Sequence, residues 1–233
     1  MGVKVGILAF GDDIPVRLRG GPVADEDRTL EFVRRVHPGY VVEPIEGCAL
    51  KYATYPPDDV VFASSSAGLD IVCDQRLTLV QPSTLSGHLC RIGDGRRMAV
   101  LGMHSVTDWL SYGTWSDGVL VRSLNLTPDS GIIESVGEPL PFEAPYWAGG
   151  HPVEDPYPLP FHPLDLGQTA LRHLFGFATD GPDHADDRAA GEVDLLGFRV
   201  TDPTGAEQAA RDAIRQEVLQ MVRAATGQPA GRE

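Results

Sequence analysis

The chain has 233 residues, of which 42% are hydrophobic and 22% charged, ordinary globular usage that excludes a wholly disordered chain. Its formal net charge is -14, from 33 acidic and 19 basic side chains, and a field of that sign repels phosphate backbones and anionic bilayers, so nucleic acid and membrane surfaces are poor partners. No stretch approaches the roughly 20 apolar residues of a membrane span, and Cys48, Cys73 and Cys90 lack the spacing of a zinc ribbon or redox pair, so free thiols in a cytoplasmic protein are expected.

Val3, Val5, Ile7 and Ala9 alternate with Lys4, Gly6, Leu8 and Phe10. The second set is also mostly apolar, so residues 3–10 read as a strand buried on both faces, ended by Asp12, Asp13 and Pro15. A helix is expected over 25–36, with Asp25 as N-cap, Leu30, Val33 and His37 on one face, and Pro38-Gly39 as its stop. Residues 40–54 offer only short extended pieces broken by Pro44 and Gly47. Strands are expected at 60–64 and 69–73, and a short helix over 83–90.

The clearest β region follows. Met98–Met103 is an apolar run, and Trp109–Trp115 is a second strand. The turn Ser116-Asp117-Gly118 leads to a strand at 119–126, and Pro128-Asp129-Ser130-Gly131 leads to another at 132–136. Strands joined by such short turns form an antiparallel meander. Between Pro139 and Pro163 lie eight prolines interleaved with Phe142, Tyr146, Trp147, Tyr157 and Phe161. Proline forbids a regular ladder, while a flexible linker would carry few aromatics, so this segment reads as an ordered strap over the surface, a loop of functional length.

Leu164–Phe175 reads as a helix stopped by Gly176, residues 179–192 as an exposed acidic loop, and 195–200 as a strand. Thr204-x-x-Glu207 reads as a capping box opening a helix over 205–225. These elements predict one α+β domain over 1–226 and a C-terminal tail at 227–233. Its sheet is mostly antiparallel, helices pack on one face, and the strap crosses an edge or open end.

The common signatures of nucleotide-binding, zincin and α/β-hydrolase proteins are missing. Met103-His104-Ser105-Val106-Thr107-Asp108 places a base, a hydroxyl and a carboxylate between two strands. His104 and Asp108 could act as general base and orienting carboxylate, with Ser105 as nucleophile, although turn chemistry alone also puts such residues there. In the strap, His151 and His162 lie among Glu143, Trp147, Glu154 and Asp155. They could bind a ligand, but no pair has recognised metal spacing, so no metal site is expected. Asp12, Asp13, Asp70 and Asp74 flank strands and could hold Mg²⁺, yet Asp is common in turns for conformational reasons. Arg122 sits inside the meander, and if it faces inward it needs a carboxylate such as Glu134 or Glu143.

Several longer motifs recur as a set: Met103-His104-Ser105 with Asp108-Trp109, Val121-Arg122-Ser123-Leu124 with Pro128-Asp129-Ser130-Gly131, and Gly137-Glu138-Pro139. With them go Pro145-Tyr146-Trp147-Ala148-Gly149, Tyr157-Pro158-Leu159-Pro160-Phe161-His162-Pro163-Leu164 and Gly197-Phe198-Arg199-Val200-Thr201-Asp202-Pro203. Together they resemble a family of uncharacterised actinobacterial proteins known only as a domain of unknown function, along nearly the whole chain. The resemblance implies a bacterial, cytoplasmic, single-domain protein, and it carries no activity, cofactor or catalytic assignment.

Three functions are compatible with these residues. The first is a non-catalytic binding or interaction module that uses the strap at 139–163. The second is a hydrolase-type enzyme using His104 and Asp108 with His151 or His162. The third is a self-assembling structural protein.

Overall fold

The computed structural model describes residues 2–78, 81–93, 95–154, 157–180, 191–210, 212, 213 and 216. In chain order the first elements are β1 (Lys4–Gly11), α1 (Ile14–Arg19), α2 (Glu26–Val36), β2 (Val41–Ala49), α3 (Leu50–Ala53), β3 (Val60–Ser66) and β4 (Leu69–Asp74). Then come α4 (Gly87–Gly93) and a meander of β5 (Met98–His104), β6 (Trp109–Ser116), β7 (Val119–Thr127) and β8 (Gly131–Val136). The last are α5 (Ala144–Trp147), α6 (Pro163–Phe175) and β9 (Asp194–Thr201), and residues 206–210 begin a further helix.

The nine strands form one sheet in the order β2-β9-β3-β4-β1-β5-β6-β7-β8, every pairing antiparallel. The apolar character of β1 on both faces is explained by its central place between β4 and β5. Val5, Ile7 and Ala9 enter a core completed by α1, α3, α6 and the strap. Leu8 and Phe10 enter a second core completed by α2 and α4. The expected α+β class with an antiparallel sheet is present. The helices, however, cover both faces rather than one. A sheet whose central strands are apolar on each side must be covered on each side, and α2 and α6 supply the two covers.

Local chemistry accounts for the helix ends. Asp25 accepts a hydrogen bond from the Arg28 amide at 3.0 Å, and Phe32, Val33 and Val36 form the buried face of α2. In α6 the His162 ring caps the Leu164 amide, Pro163 takes the first turn, and Gly176 ends the helix at φ 83. The cap at the start of the last helix differs from the expected box. Asp202, not Thr204, accepts from the Glu207 amide, at 2.9 Å, and the Glu207 carboxylate turns instead to Arg76 at 2.9 Å. The short helix expected over 83–90 is a 3-10 turn at Pro82–Thr84 followed by α4. The segment broken by Pro44 and Gly47 is β2, an edge strand, where proline costs no ladder bond facing solvent. The tail expected at 227–233, and most of the helix expected to 225, lie outside the described residues.

Candidate ligand-binding cleft

The site is built on one buried ion pair. The ladder between β6 and β7 passes from Thr114↔Arg122 to Trp115↔Leu120, so Val121 bulges out of register. Such bulges bend a strand and re-aim a side chain. Arg122 here has 0% exposure, and its guanidinium meets Glu143 with both arms: Nε donates to Oε1 at 2.8 Å and Nη2 to Oε2 at 2.7 Å. Nη1 donates to Ser135 Oγ, Val136 O and Gly137 O at 2.9, 3.2 and 3.1 Å. Gly137 is required for this approach, because its φ is 77 and a Cβ there would collide with the Val121 carbonyl.

Glu143 is equally committed. Beyond Arg122 it accepts from the Leu140 amide at 2.8 Å and from Trp147 Nε1 at 3.1 Å. Burial pulls its pKa up, but the Arg122 hydrogen bonds and then the Leu140 amide outweigh that and hold the carboxyl below the ordinary value. Tyr112 lies beside the pair with its hydroxyl buried, and burial, then the Glu143 charge, push its pKa above the ordinary range. The pair therefore ties the head of the strap, residues 140–147, to the middle of β7.

That attachment sets one wall of a cleft. The ends of β1, β5 and β6 form the floor, with Met98, Ala99, Thr114 and Trp115. Ile14 and Pro15 of α1, Leu140 of the strap, and His173 and Leu174 of α6 also line it. The volume of this open cleft is about 460 Å3. Its lining is mainly apolar, with Asp13, Arg97, Thr114, Ser116 and His173 supplying polar groups. The backbone at its mouth is unusual: Gly11 has φ 153 and Asp13, a non-glycine residue, sits in the left-handed region at φ 50. The His173 ring stacks on Phe142 at 5.0 Å. Burial, and then the Arg172 charge, push its pKa below the ordinary value, which favours a neutral imidazole at neutral pH.

The residues singled out in the sequence fall into four separate places. Arg122, Glu143 and Trp147 meet in the buried pair, and of the two carboxylates considered for Arg122 it is Glu143 that answers. Glu134 instead accepts hydrogen bonds from Ser83, Ser123 and Gln81. His162 approaches Asp108, Nε2 to Oδ2 at 3.6 Å, while its Nδ1 caps α6. His104 accepts from the Val106 amide at 3.3 Å and packs edge-on to Tyr55. Burial, then Lys4, depress the His104 pKa. The Ser105 amide donates to Val3 O at 2.9 Å. His151 stacks on Tyr146 at 4.0 Å. Among the described residues no hydrogen bond or ion pair joins His104 or Ser105 to Asp108 or His162. No group of three or more His, Cys, Asp or Glu among the described residues could hold a metal ion. Asp70 and Asp74 are engaged elsewhere, by Arg96 and by Arg76 with His37.

Sequence reasoning did not anticipate Arg97, Leu140 and His173 as neighbours, because they come from segments far apart in the chain. A second cavity of about 530 Å3 lies on the opposite face beside His37, Asp74 and Arg76. Its Asp74 carboxylate is bound by both His37 and Arg76, and Gln81 and Ser86 at its rim hydrogen-bond Glu134 and His88. No helix among the described residues is long and apolar enough to cross a membrane.

No curated protein and no solved structure matches the chain. The motifs that build the cleft wall, Val121-Arg122-Ser123-Leu124, Gly137-Glu138-Pro139 and Pro145-Tyr146-Trp147, lie within residues 5–198, which match the model of a family of unknown function (DUF6928), and the chain belongs to that family.

Proposed function

We propose that this chain is a non-catalytic cytoplasmic binding module that takes a small molecule in the cleft between α1, α6 and the head of the strap. The observation that carries the reading is the buried Arg122–Glu143 pair, which holds Leu140 in place as a cleft wall. Burying two charges costs desolvation that close pairing and further hydrogen bonds offset, and here one of those hydrogen bonds fixes the Leu140 backbone. The volume of about 460 Å3 lies within the range of small-molecule sites, and an apolar lining with a few convergent polar groups is their usual chemistry.

A hydrolase is the second reading, favoured by the approach of His162 to Asp108. It ranks lower because the His162 Nδ1 is already occupied as a helix cap, and no described hydroxyl is hydrogen-bonded to that ring.

The test is a fragment screen by amide-resolved NMR on the whole chain. Fragments that bind are expected to shift the amides of Ala99, Thr114, Leu140 and His173 together. Leu140→Trp, which fills the cleft from its wall, is expected to abolish those shifts while the protein stays folded. Fragments that map to another surface, or that bind Leu140→Trp with unchanged affinity, overturn the reading.

A further inference from the structure

The sheet ends in two edges of different character. β2, at one edge, is blunted: it carries Pro44, the acids Glu43 and Glu46, and a slip in register between Ile45 and Cys48. Devices of this kind stop an edge from recruiting another chain. β8, at the other edge, carries neither proline nor lysine. Its one charged residue, Glu134, turns its carboxylate back onto Ser83, Ser123 and Gln81. Ile132, Ile133 and Val136 are 49%, 46% and 43% exposed, and Val119 and Val121 of the neighbouring β7 are exposed as well. β7 pairs with one side of β8, and among the described residues no other backbone hydrogen bond reaches Gly131–Val136.

Charge says what this edge accepts. Over residues 98–171 the chain has nine Asp and Glu but one Lys or Arg. That one is Arg122, buried and paired with Glu143. The meander and the strap therefore offer no Lys or Arg of their own to solvent. Asp129 and Glu138, both exposed, stand just before and just after β8. A second copy of the chain suits this edge poorly. Antiparallel pairing of two β8 strands brings Asp129 of each copy toward Glu138 of the other, and like charges facing across strands are destabilising.

We infer that β8 is a docking edge for an extended segment of a partner protein, apolar at alternate positions and carrying Lys or Arg at both ends. The segment joins the sheet as one further strand, its main chain bonded to the free side of β8. Its apolar side chains lie beside Ile132, Ile133 and Val136, and its cations reach Asp129 and Glu138. The β7–β8 ladder slips by one residue at Ile133, and such a slip bends a strand, so the partner segment is short.

The experiment titrates the whole chain with a capped peptide of alternating valine and threonine that carries two lysines at each end. The amides of Ile132, Ile133, Ser135 and Val136 are expected to shift, while those of Ala99 and His173 in the cleft stay in place. The same peptide with glutamates for lysines is expected to bind about tenfold or more weakly at low salt, and the gap is expected to narrow as salt rises. Methylating every core nitrogen of the lysine peptide keeps its charges and is expected to abolish binding. Ile133→Asn, a neutral change at an exposed position, is expected to weaken the lysine peptide about fivefold through lost apolar contact. Asp129→Lys with Glu138→Lys is expected to reverse the preference in favour of the glutamate peptide. The inference fails if the lysine peptide leaves the β8 amides unmoved, or if the glutamate or N-methylated peptide binds as tightly. It fails too if both variants bind the lysine peptide normally, or if sedimentation shows a dimer that the lysine peptide dissociates, since a second copy then holds the edge.

Discussion

Replacing Glu143 by Gln is the sharpest test of how the strap is held. The carboxylate accepts four hydrogen bonds, two from Arg122, one from the Leu140 amide and one from Trp147. An amide of the same shape presents an oxygen on one side and two donors on the other, so it must turn N–H groups toward groups that are themselves donors. Arg122 would remain at 0% exposure without a counter-charge. Removing one partner of a buried pair costs about 3–5 kcal/mol, a large share of the roughly 5–15 kcal/mol that stabilises a domain. The assay is urea denaturation at neutral pH, comparing midpoints at constant m-value. A double variant, Arg122→Met with Glu143→Leu, removes both charges. It should recover part of the loss, though not all, since the Leu140 amide and Trp147 Nε1 still lose their acceptor. A loss below about 1 kcal/mol for Glu143→Gln would refute the argument, because so small a cost is that of an exposed pair.

Two further outcomes follow from the same geometry. Glu143 has its pKa lowered in the folded state, and so has Glu134, where burial is outweighed by hydrogen bonds from Ser123 and Ser83. Groups of this kind add stability above their unfolded value, ordinarily 4.5, and lose it as pH falls through the folded value. His104 and His173 also have lowered pKa values, so their share is present above the ordinary 6.5 and is lost below it. Stability measured by denaturation should therefore fall in two windows, first below about pH 6.5 and again below about pH 4.5, and His173→Gln should shrink only the first; a profile flat from neutrality to pH 4 would contradict this. Gly137→Ala should cost about 2 kcal/mol or more through its positive φ and the collision with Val121 O, read as a lower melting temperature, and a neutral effect would mean that Arg122 does not need this approach.

Much of this architecture is legible residue by residue. The two apolar faces of β1 mark a central strand, the short turns at 116–118 and 128–131 mark a meander, and Pro163 after His162 marks a helix start. An arginine inside a meander needs a carboxylate only if it faces inward; Arg122 does, and of the two carboxylates considered, Glu134 and Glu143, it pairs with Glu143. What local pattern does not carry is pairing at long range. β2 reads poorly because Pro44 and Gly47 interrupt it, and it is a strand only through β9, about 150 residues later in the chain. The layering was also hidden. The pattern of β1 requires cover on both faces but does not say which helix goes where. The cleft was least legible of all, since Asp13, Arg97, Leu140 and His173 each look like ordinary loop or helix residues until the sheet brings their segments to one end.

The position of β9 has a consequence for how the chain is made. It lies between β2 and β3, so those two early strands never pair with each other. During synthesis, β1, β3, β4 and the meander can assemble as soon as β8 has left the ribosome. β2 must wait for residues 194–201, and until then β3 presents an open edge to solvent. Unpaired edges recruit other strands, and pairings across such distances form slowly. Until that late seam closes, a nascent chain keeps an edge that other strands can join, and a chain ending before residue 194 would leave β2 unpaired and the β3 edge open.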